Sequence, residues 1–268
     1  MKNPESFFPQ LEEFAHRDLF DNLQNLWDPL KKLGASIDSA LNRSPNGPDF
    51  SKSMGKATLL SGDEPGGRMG PSIYIEGWIE ADSPIFLADQ KVLIGKGTIL
   101  EPSAIIKGPA IIGEHCEIRQ GAYIRGNVIV GNHCIIGHAT EIKNSIVMNH
   151  TEAGHFNYIG DSILGSYVNM GAGSRLANVQ FRSHEEKEQE LIEPIIIPLV
   201  GKEVETGLQK FGAILGDNVE LGCNVVLCPG TLMAKDSWVY PNVTVSKGYY
   251  PPNTFLGPKE RKLKTQDK

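Results

Sequence analysis

The sequence predicts an all-β solenoid, a stack of short parallel strands, and two observations carry that reading. The first is a six-residue rhythm. From Ile94 an aliphatic side chain returns at Leu100, Ile106, Ile112, Ile118, Ile124, Val130, Ile136, Ile142 and Met148. The second is a mostly small residue four positions after each of the first nine: Thr98, Ala104, Ala110, Cys116, Ala122, Val128, Cys134, Thr140 and Ile146. No α-helix has a period of six. Three short strands closing a triangular coil do, with the aliphatic pointing inward and the small residue filling the tight corner. A single coil cannot bury its apolar faces alone, so the coils must stack.

The elements follow in chain order. Residues 1–42 read as an N-terminal helical segment. Within 9–33, Leu11, Phe14, Leu19, Leu23, Leu26, Trp27, Leu30 and Leu33 form an apolar stripe at helical spacing, and Pro29 kinks or divides it. The stripe is expected to pack on the solenoid or on another subunit. Residues 43–70, opening with R-S-P-N-G-P, read as linker. The solenoid domain spans 71–257, with atypical first coils over 71–93. Its rhythm stumbles by four residues at E-A-G-H-F-N-Y-I-G-D (152–161) and resumes at Tyr158, Leu164, Met170 and Leu176. This break is expected to lift a short loop carrying His155 off the coil. An inserted loop covers 179–213, and the rhythm returns at Leu215, Leu221, Leu227, Met233, Val239 and Val245. The stretch G-Y-Y-P-P-N-T-F-L-G-P is expected to leave the repeat, and 258–268 to fray as a C-terminal tail.

Composition narrows the function. A formal charge of −6 and a pI near 5.7 leave no basic footprint for nucleic acid. No apolar run reaches the length of a membrane span, and the N-terminus lacks the apolar core of a signal peptide, so a cytoplasmic protein is expected. The cysteines Cys116, Cys134, Cys223 and Cys228 show no C-x-x-C pairing. Cys116 and Cys134 occupy small inward positions, which points to core packing.

Candidate chemistry gathers around the stumble. Lys107, Arg125 and Lys143 are eighteen residues apart, one coil each, so they stack in one column. Such a column is either a solvated charged face or an anion site, because a phosphate between the cations turns repulsion into charge-assisted hydrogen bonds. His155 follows Lys143 by twelve residues, and a histidine is the usual general base for an amine nucleophile.

The blocks G-A-Y-I-R-G (121–126), E-I-K-N-S (141–145), A-G-H-F-N-Y-I-G-D (153–161) and N-M-G-A-G-S (169–174) resemble one enzyme domain. It is the acetyltransferase half of the bifunctional glucosamine-1-phosphate acetyltransferase/N-acetylglucosamine-1-phosphate uridylyltransferase family, a hexapeptide-repeat family. L-Q-K-F-G-A-I-L-G-D looks closer to its archaeal-type members, and the likeness covers about 92–245. The resemblance implies a left-handed parallel β-helix, a homotrimer and acetyl-CoA as co-substrate, with no metal required. It makes His155 the general base. It places the sugar 1-phosphate on Arg125 and Lys143, the sugar ring near Tyr158 and Asn169, and the acetyl-CoA arm along backbone at Ala172, Ala177 and Asn178, where amide N–H groups would stabilise the oxyanion. Lys107 is added from the spacing alone.

Two departures stand out. The family's N-Y-D-G stretch is absent after Asn178, where the chain reads N-V-Q-F-R-S-H-E-E-K, and only Lys187 lies near the place of a further family lysine. Nothing resembles the nucleotidyltransferase half, and G-G-R-M-G (66–70) has no preceding strand, so uridylyl transfer is not expected of this chain.

Two rivals remain open. His133 and His138, with His115 one coil before His133, invite comparison with zinc-binding γ-type carbonic anhydrases, although position 97 is Gly where that family's third histidine would stand. A solenoid that binds a phosphosugar or a partner protein without catalysis is the other. The favoured expectation is an acetyl-CoA-dependent N-acetyltransferase acting on a hexosamine 1-phosphate, glucosamine 1-phosphate first, in amino-sugar nucleotide precursor synthesis.

Overall fold

In the computed structural model, residues 4–43, 56–60, 70–199 and 201–257 are described. Three nine-stranded sheets form the walls of a solenoid, and the chain visits them in a fixed order. The first face carries Ile105–Lys107, Tyr123–Arg125, Glu141–Lys143, Tyr158–Gly160 and Arg175–Leu176. The second carries Ala110–Ile112, Val128–Val130, Ser145–Val147, Ile163–Leu164 and Ala213–Leu215. The third carries Glu117–Ile118, Ile135–His138, Glu152–His155, Asn169–Met170, Glu220–Leu221 and Trp238–Val239. Each pairs in parallel with the next coil, and Ile124 lies beside both Ile106 and Ile142, the spacing the sequence predicts.

The inward residues form one continuous core, and Cys116 and Cys134 sit in it almost without exposure. Their thiols donate to the carbonyls of Gly131 and Met148 at 3.0 Å, which satisfies them inside the stack.

The stumble has a different cause from the one the spacing suggests. The inward positions after Ile142 are Val147, Ala153, Ile159 and Leu164, fixed by the pairings Ile142↔Ile159, Ile136↔Ala153 and Val147↔Leu164. Two successive coils are each one residue short at the corner between the first and second faces. No loop is lifted, and His155 ends the strand Glu152–His155 opposite His138. Met148 and Tyr158 sit beside the true inward positions and mimic the rhythm. Likewise the small corner residue beside Val128 is Ser145, and Ile146 faces outward under the N-terminal segment.

The ends of the solenoid also depart from expectation. The first coil, Ser72–Ile75, Ile79–Glu80 and Ile85–Leu87, runs antiparallel to its neighbours on all three faces. Ala57–Leu60, inside the stretch read as linker, adds an antiparallel strand to Ser72–Ile75. G-Y-Y-P-P-N-T-F-L-G does not leave the repeat. Gly248–Tyr250 and Phe255–Leu256 continue the second and third faces, with the two prolines at the corner, where no ladder N–H is required. The tail 258–268, most of 43–55 and nearly all of G-G-R-M-G lie outside the described residues.

The N-terminal segment covers the second face. Its α-helix α1 runs Asp28–Arg43, later than the stripe suggests. Pro29 stands in the first turn, where its missing N–H costs nothing, so it starts the helix instead of kinking it. Before it come short 3-10 turns, Leu11–Glu13 and Arg17–Phe20. Phe7, Phe8, Phe14, Leu26, Trp27, Leu33 and Ile37 bury against Ile111, Ile129, Ile146, Met148, Ile163, Ile214 and Leu232. Burying each large side chain is worth about 1.5–3 kcal/mol. The insertion joins this layer. After a short helix, α2 (His184–Glu188), its hairpin Ile196–Leu199/Lys202–Glu205 places Ile195 and Ile197 in the same cluster, and Thr206 accepts from the Trp27 indole at 3.1 Å.

Candidate functional site

With the second face covered, the open chemistry lies on the first and third faces and the corner between them. On the first face the outward column reads Tyr123, Glu141, Tyr158, Arg175 in successive coils. Beside it Lys107 pairs with Arg125, and Lys143 follows one coil on. Alternation in Y-I-R and E-I-K sets this pattern, with Ile inward and the flanking residues out.

The three cations are stacked as the spacing predicts, but they are not bare. Arg125 Nη1 donates to Glu141 Oε1 at 2.5 Å, which raises the guanidinium pKa further, while Lys107 and Arg125 both lie over the Tyr123 ring. Lys143 Nζ donates to Asp161 Oδ2 at 3.0 Å, where both side chains are largely buried. Asp161 is a hub. Its Oδ1 accepts from Asn144 at 2.8 Å, and its Oδ2 also accepts from the Asn178 amide. Asn178 in turn accepts from the Tyr158 hydroxyl at 3.3 Å. Burial, then Glu141 and Asp161, push the Tyr158 phenol pKa up, so it stays a protonated donor.

Glu141 and Asp161 are the residues the sequence reading overlooked. The signal was present: Asp161 lies eighteen residues after Lys143, next to the Gly160 that pairs with it, and Glu141 is two residues before Lys143 on the same outward face.

The corner between the third and first faces holds His155 and Ala172. The His155 imidazole is exposed, and its backbone is clamped: its N–H donates to Asn157 Oδ1 at 3.1 Å and its carbonyl accepts from Gly173 at 2.9 Å. Asn157 itself donates to the Gly171 carbonyl at 2.9 Å, tying this corner to the next. Asn169 lies around the corner on the third face, donating to Glu220 Oε2 at 2.8 Å. The predicted residues therefore divide. Lys143, Tyr158 and Asn178 join one network through Asp161, Arg125 pairs with Glu141 on the same face, His155 and Ala172 share a corner, and Asn169 stands on the neighbouring face.

The predicted amide donors are partly committed. The Ala177 N–H donates to the Leu227 carbonyl at 3.0 Å within the ladder. Each amide has one proton, so Ala177 is not a donor for an oxyanion. Lys187 is exposed on α2.

His133 and His138 stand on different corners. His133 stacks between His115 and His150 at 5.2 and 4.9 Å, and His138 Nδ1 lies 2.9 Å from the Gln120 carbonyl. Parallel stacked imidazoles do not converge their lone pairs on one point, and no cluster of three ligating groups occurs among the described residues. No described helix is long and apolar enough to cross a membrane.

Fold and repeat together define the class: this is a hexapeptide-repeat β-solenoid with a polar, charge-paired face beside a histidine corner. The chain belongs to the GMPPB C-terminal domain family, which it matches over residues 106–247. It is also similar to the bifunctional protein GlmU of Methanococcus vannielii, 38% identical over 112 residues, covering 42% of this chain and 25% of that protein. A bifunctional sugar-1-phosphate nucleotidylyltransferase/acetyltransferase of Sulfurisphaera tokodaii is 34% identical over 112 residues, covering 42% and 26%. The GlmU of a Picosynechococcus strain matches 68% of this chain and 31% of its own length at 29% identity. The chain thus spans about a quarter to a third of the length of these relatives.

Proposed function

We propose that this chain is an N-acetyltransferase that moves acetyl from acetyl-CoA to the amine of a hexosamine 1-phosphate, glucosamine 1-phosphate being favoured. The observation that carries the reading is the conjunction of His155, at an exposed corner, with the Arg125–Glu141 pair and the Lys143–Asp161–Asn178–Tyr158 network on the adjoining face. The similarity to bifunctional sugar-1-phosphate enzymes named for acetyl transfer supports it.

In this reading the sugar amine attacks the acetyl carbonyl carbon while His155 takes its proton. The tetrahedral intermediate collapses, the carbon–sulfur bond breaks, and CoA leaves as a thiolate that is then protonated. His155 suits the role because its backbone is held on both sides while its imidazole is free to reach a substrate. The phosphate lies against Arg125, whose side chain is 42% exposed, with Lys143 adding charge from behind. Glu141 and Asp161 hold these cations extended until an anion competes for them. Acetyl-CoA runs past Ala172, and a homotrimer supplies the second wall that one convex face lacks. The enzyme is placed in the cytoplasm, in amino-sugar nucleotide precursor synthesis, and the deprotonation it needs comes from histidine without a metal.

The test is CoA thiol release with glucosamine 1-phosphate, galactosamine 1-phosphate and unphosphorylated glucosamine. Release with the phosphosugars above glucosamine supports the reading. No release with any amine, alongside phosphosugar binding, replaces it with a non-catalytic binding solenoid.

A further inference from the structure

The corner that carries His155 turns the chain through left-handed backbone once per coil. Gly121, Ala139, Phe156, Gly173, Asn224 and Asn242 hold φ values of 71, 50, 53, 75, 58 and 60°. The N–H groups of Ala139, Phe156, Gly173 and Asn224 donate one coil back, to the carbonyls of Gln120, His138, His155 and Ala172, so these positions form one column. Glycine and asparagine suit this conformation, and alanine is at least short. A phenylalanine is strained there, and at 54% exposure it gains little burial in exchange. A strained, exposed ring beside a candidate base points to a ligand that meets it.

The ring is held in place. His138, the partner of His155 in the preceding coil, packs edge-on against Phe156 with centroids 5.0 Å apart. His138 is itself anchored. Its Nδ1 lies 2.9 Å from the Gln120 carbonyl, which only accepts, so this nitrogen carries the proton. The Gln120 N–H donates in turn to Glu101 Oε2 at 2.9 Å. On either side the column is low, with Gly121 and Ala139 in the two coils before the ring and Gly173 in the coil after it. Phe156 is thus a ridge across a low corner, next to the exposed His155 imidazole.

We infer that Phe156 sets the length of acyl group that this site accepts. The inference rests on the acetyltransferase reading, with the donor's arm running past Ala172. Ala172 lies one coil beyond His155 and His138 one coil before it, about 4.8 Å in each direction. A thioester carbonyl carbon is trigonal, with the sulfur and the acyl chain on different sides of it. With the sulfur toward Ala172 and the carbon beside His155, the acyl chain points toward His138, where the Phe156 ring stands. A methyl group stops short of the ring, and each further methylene runs into it. The bonds exchanged are the same for any chain length. The amine nitrogen joins the carbonyl carbon, the carbon–sulfur bond breaks, and the amine proton passes through His155 to the CoA thiolate. Phe156 therefore selects acetyl, and His138 is a positioning residue that keeps the ring across the corner.

The test is competition between acetyl-CoA and butyryl-CoA for glucosamine 1-phosphate, with the two amide products separated by mass. Phe156→Ala is expected to fold, since Ala139 holds the same conformation one coil earlier. It is expected to raise the butyryl-to-acetyl ratio of kcat/KM about ten- to hundred-fold. His138→Ala is expected to raise the ratio less, and Phe156→Tyr to leave it unchanged. An unchanged ratio in Phe156→Ala overturns the inference, and a changed oligomeric state alongside it makes the ring a contact between copies. An unsubstituted protein that takes butyryl as readily as acetyl overturns it too. If neither donor gives an amide, the acetyltransferase reading falls, and calorimetry with the two acyl-CoAs decides the role of the ring. Butyryl-CoA affinity that rises relative to acetyl-CoA in Phe156→Ala keeps the inference, and affinities that move in parallel remove it.

Discussion

The second and first faces of the solenoid are built from the same repeat and meet different surroundings. On the second face A-I-I, V-I-V, S-I-V, A-I-L and T-L-M are buried at every position. On the first, Y-I-R and E-I-K bury only the middle residue. The inward aliphatic is common to both, so the hexapeptide alone does not distinguish them. The outward residue does. Where it is Ile or Leu another layer must cover it, and here the N-terminal segment and the insertion do so. Where it is Tyr, Glu, Lys or Arg, the face is left open for chemistry.

The difference is most readily broken at the cover. Trp27 has no exposed surface, packs 6.0 Å from Phe211 and donates to Thr206. Trp27→Ala is expected to destabilise the protein by about 3–5 kcal/mol, read from urea unfolding, because it opens a cavity between the layers. A change below about 1 kcal/mol would mean that the segment does not stabilise this face.

A second handle is the latch beneath the cover. Asp217 is fully buried, accepts from Gln10 at 2.9 Å and Ser166 at 2.7 Å, and its own N–H donates to Phe7. Burial outweighs these bonds and raises its pKa from 3.8 to about 6. An acid with a raised folded pKa stabilises the fold in its protonated form, so its contribution is full below about pH 4 and is lost as pH rises through about 6. The shift is worth about 3 kcal/mol. Asp217→Asn is expected to flatten this part of the stability profile, measured by unfolding at pH 4, 5, 6 and 7. A slope unchanged in the variant would assign the dependence to other groups.

The open face responds in function more than in stability. Arg125→Ala removes a half-exposed ion pair, so its stability cost is expected to stay below about 1 kcal/mol. Its KM for the phosphosugar is expected to rise far more than its KM for acetyl-CoA. Equal rises would remove the phosphate from this column.

The contrast also explains what could be read in advance. The repeat, the cation column and the packing of the N-terminal stripe were legible because each depends on residue type at a fixed interval. The phase after Ile142 was not, since Met148 and Tyr158 imitate inward positions. Met148 is apolar for the sake of the covered outer layer, which the six-residue period does not encode. The carboxylate partners Glu141 and Asp161 were hidden differently. Their pairing to Arg125 and Lys143 depends on side chains meeting across adjacent coils, and a search for like charges passes over it. The strand Ala57–Leu60 was obscured by its turn-rich surroundings.

The corner where the open faces meet is tested most directly by one variant. His155→Ala alters an exposed imidazole and leaves the clamping backbone bonds in place, so its unfolding curve is expected to match the unsubstituted protein. CoA thiol release with saturating acetyl-CoA and glucosamine 1-phosphate is expected to fall by about a hundred- to ten-thousand-fold. Undiminished release from a folded variant would contradict the assignment of the base, and with it the account of why this corner stands open.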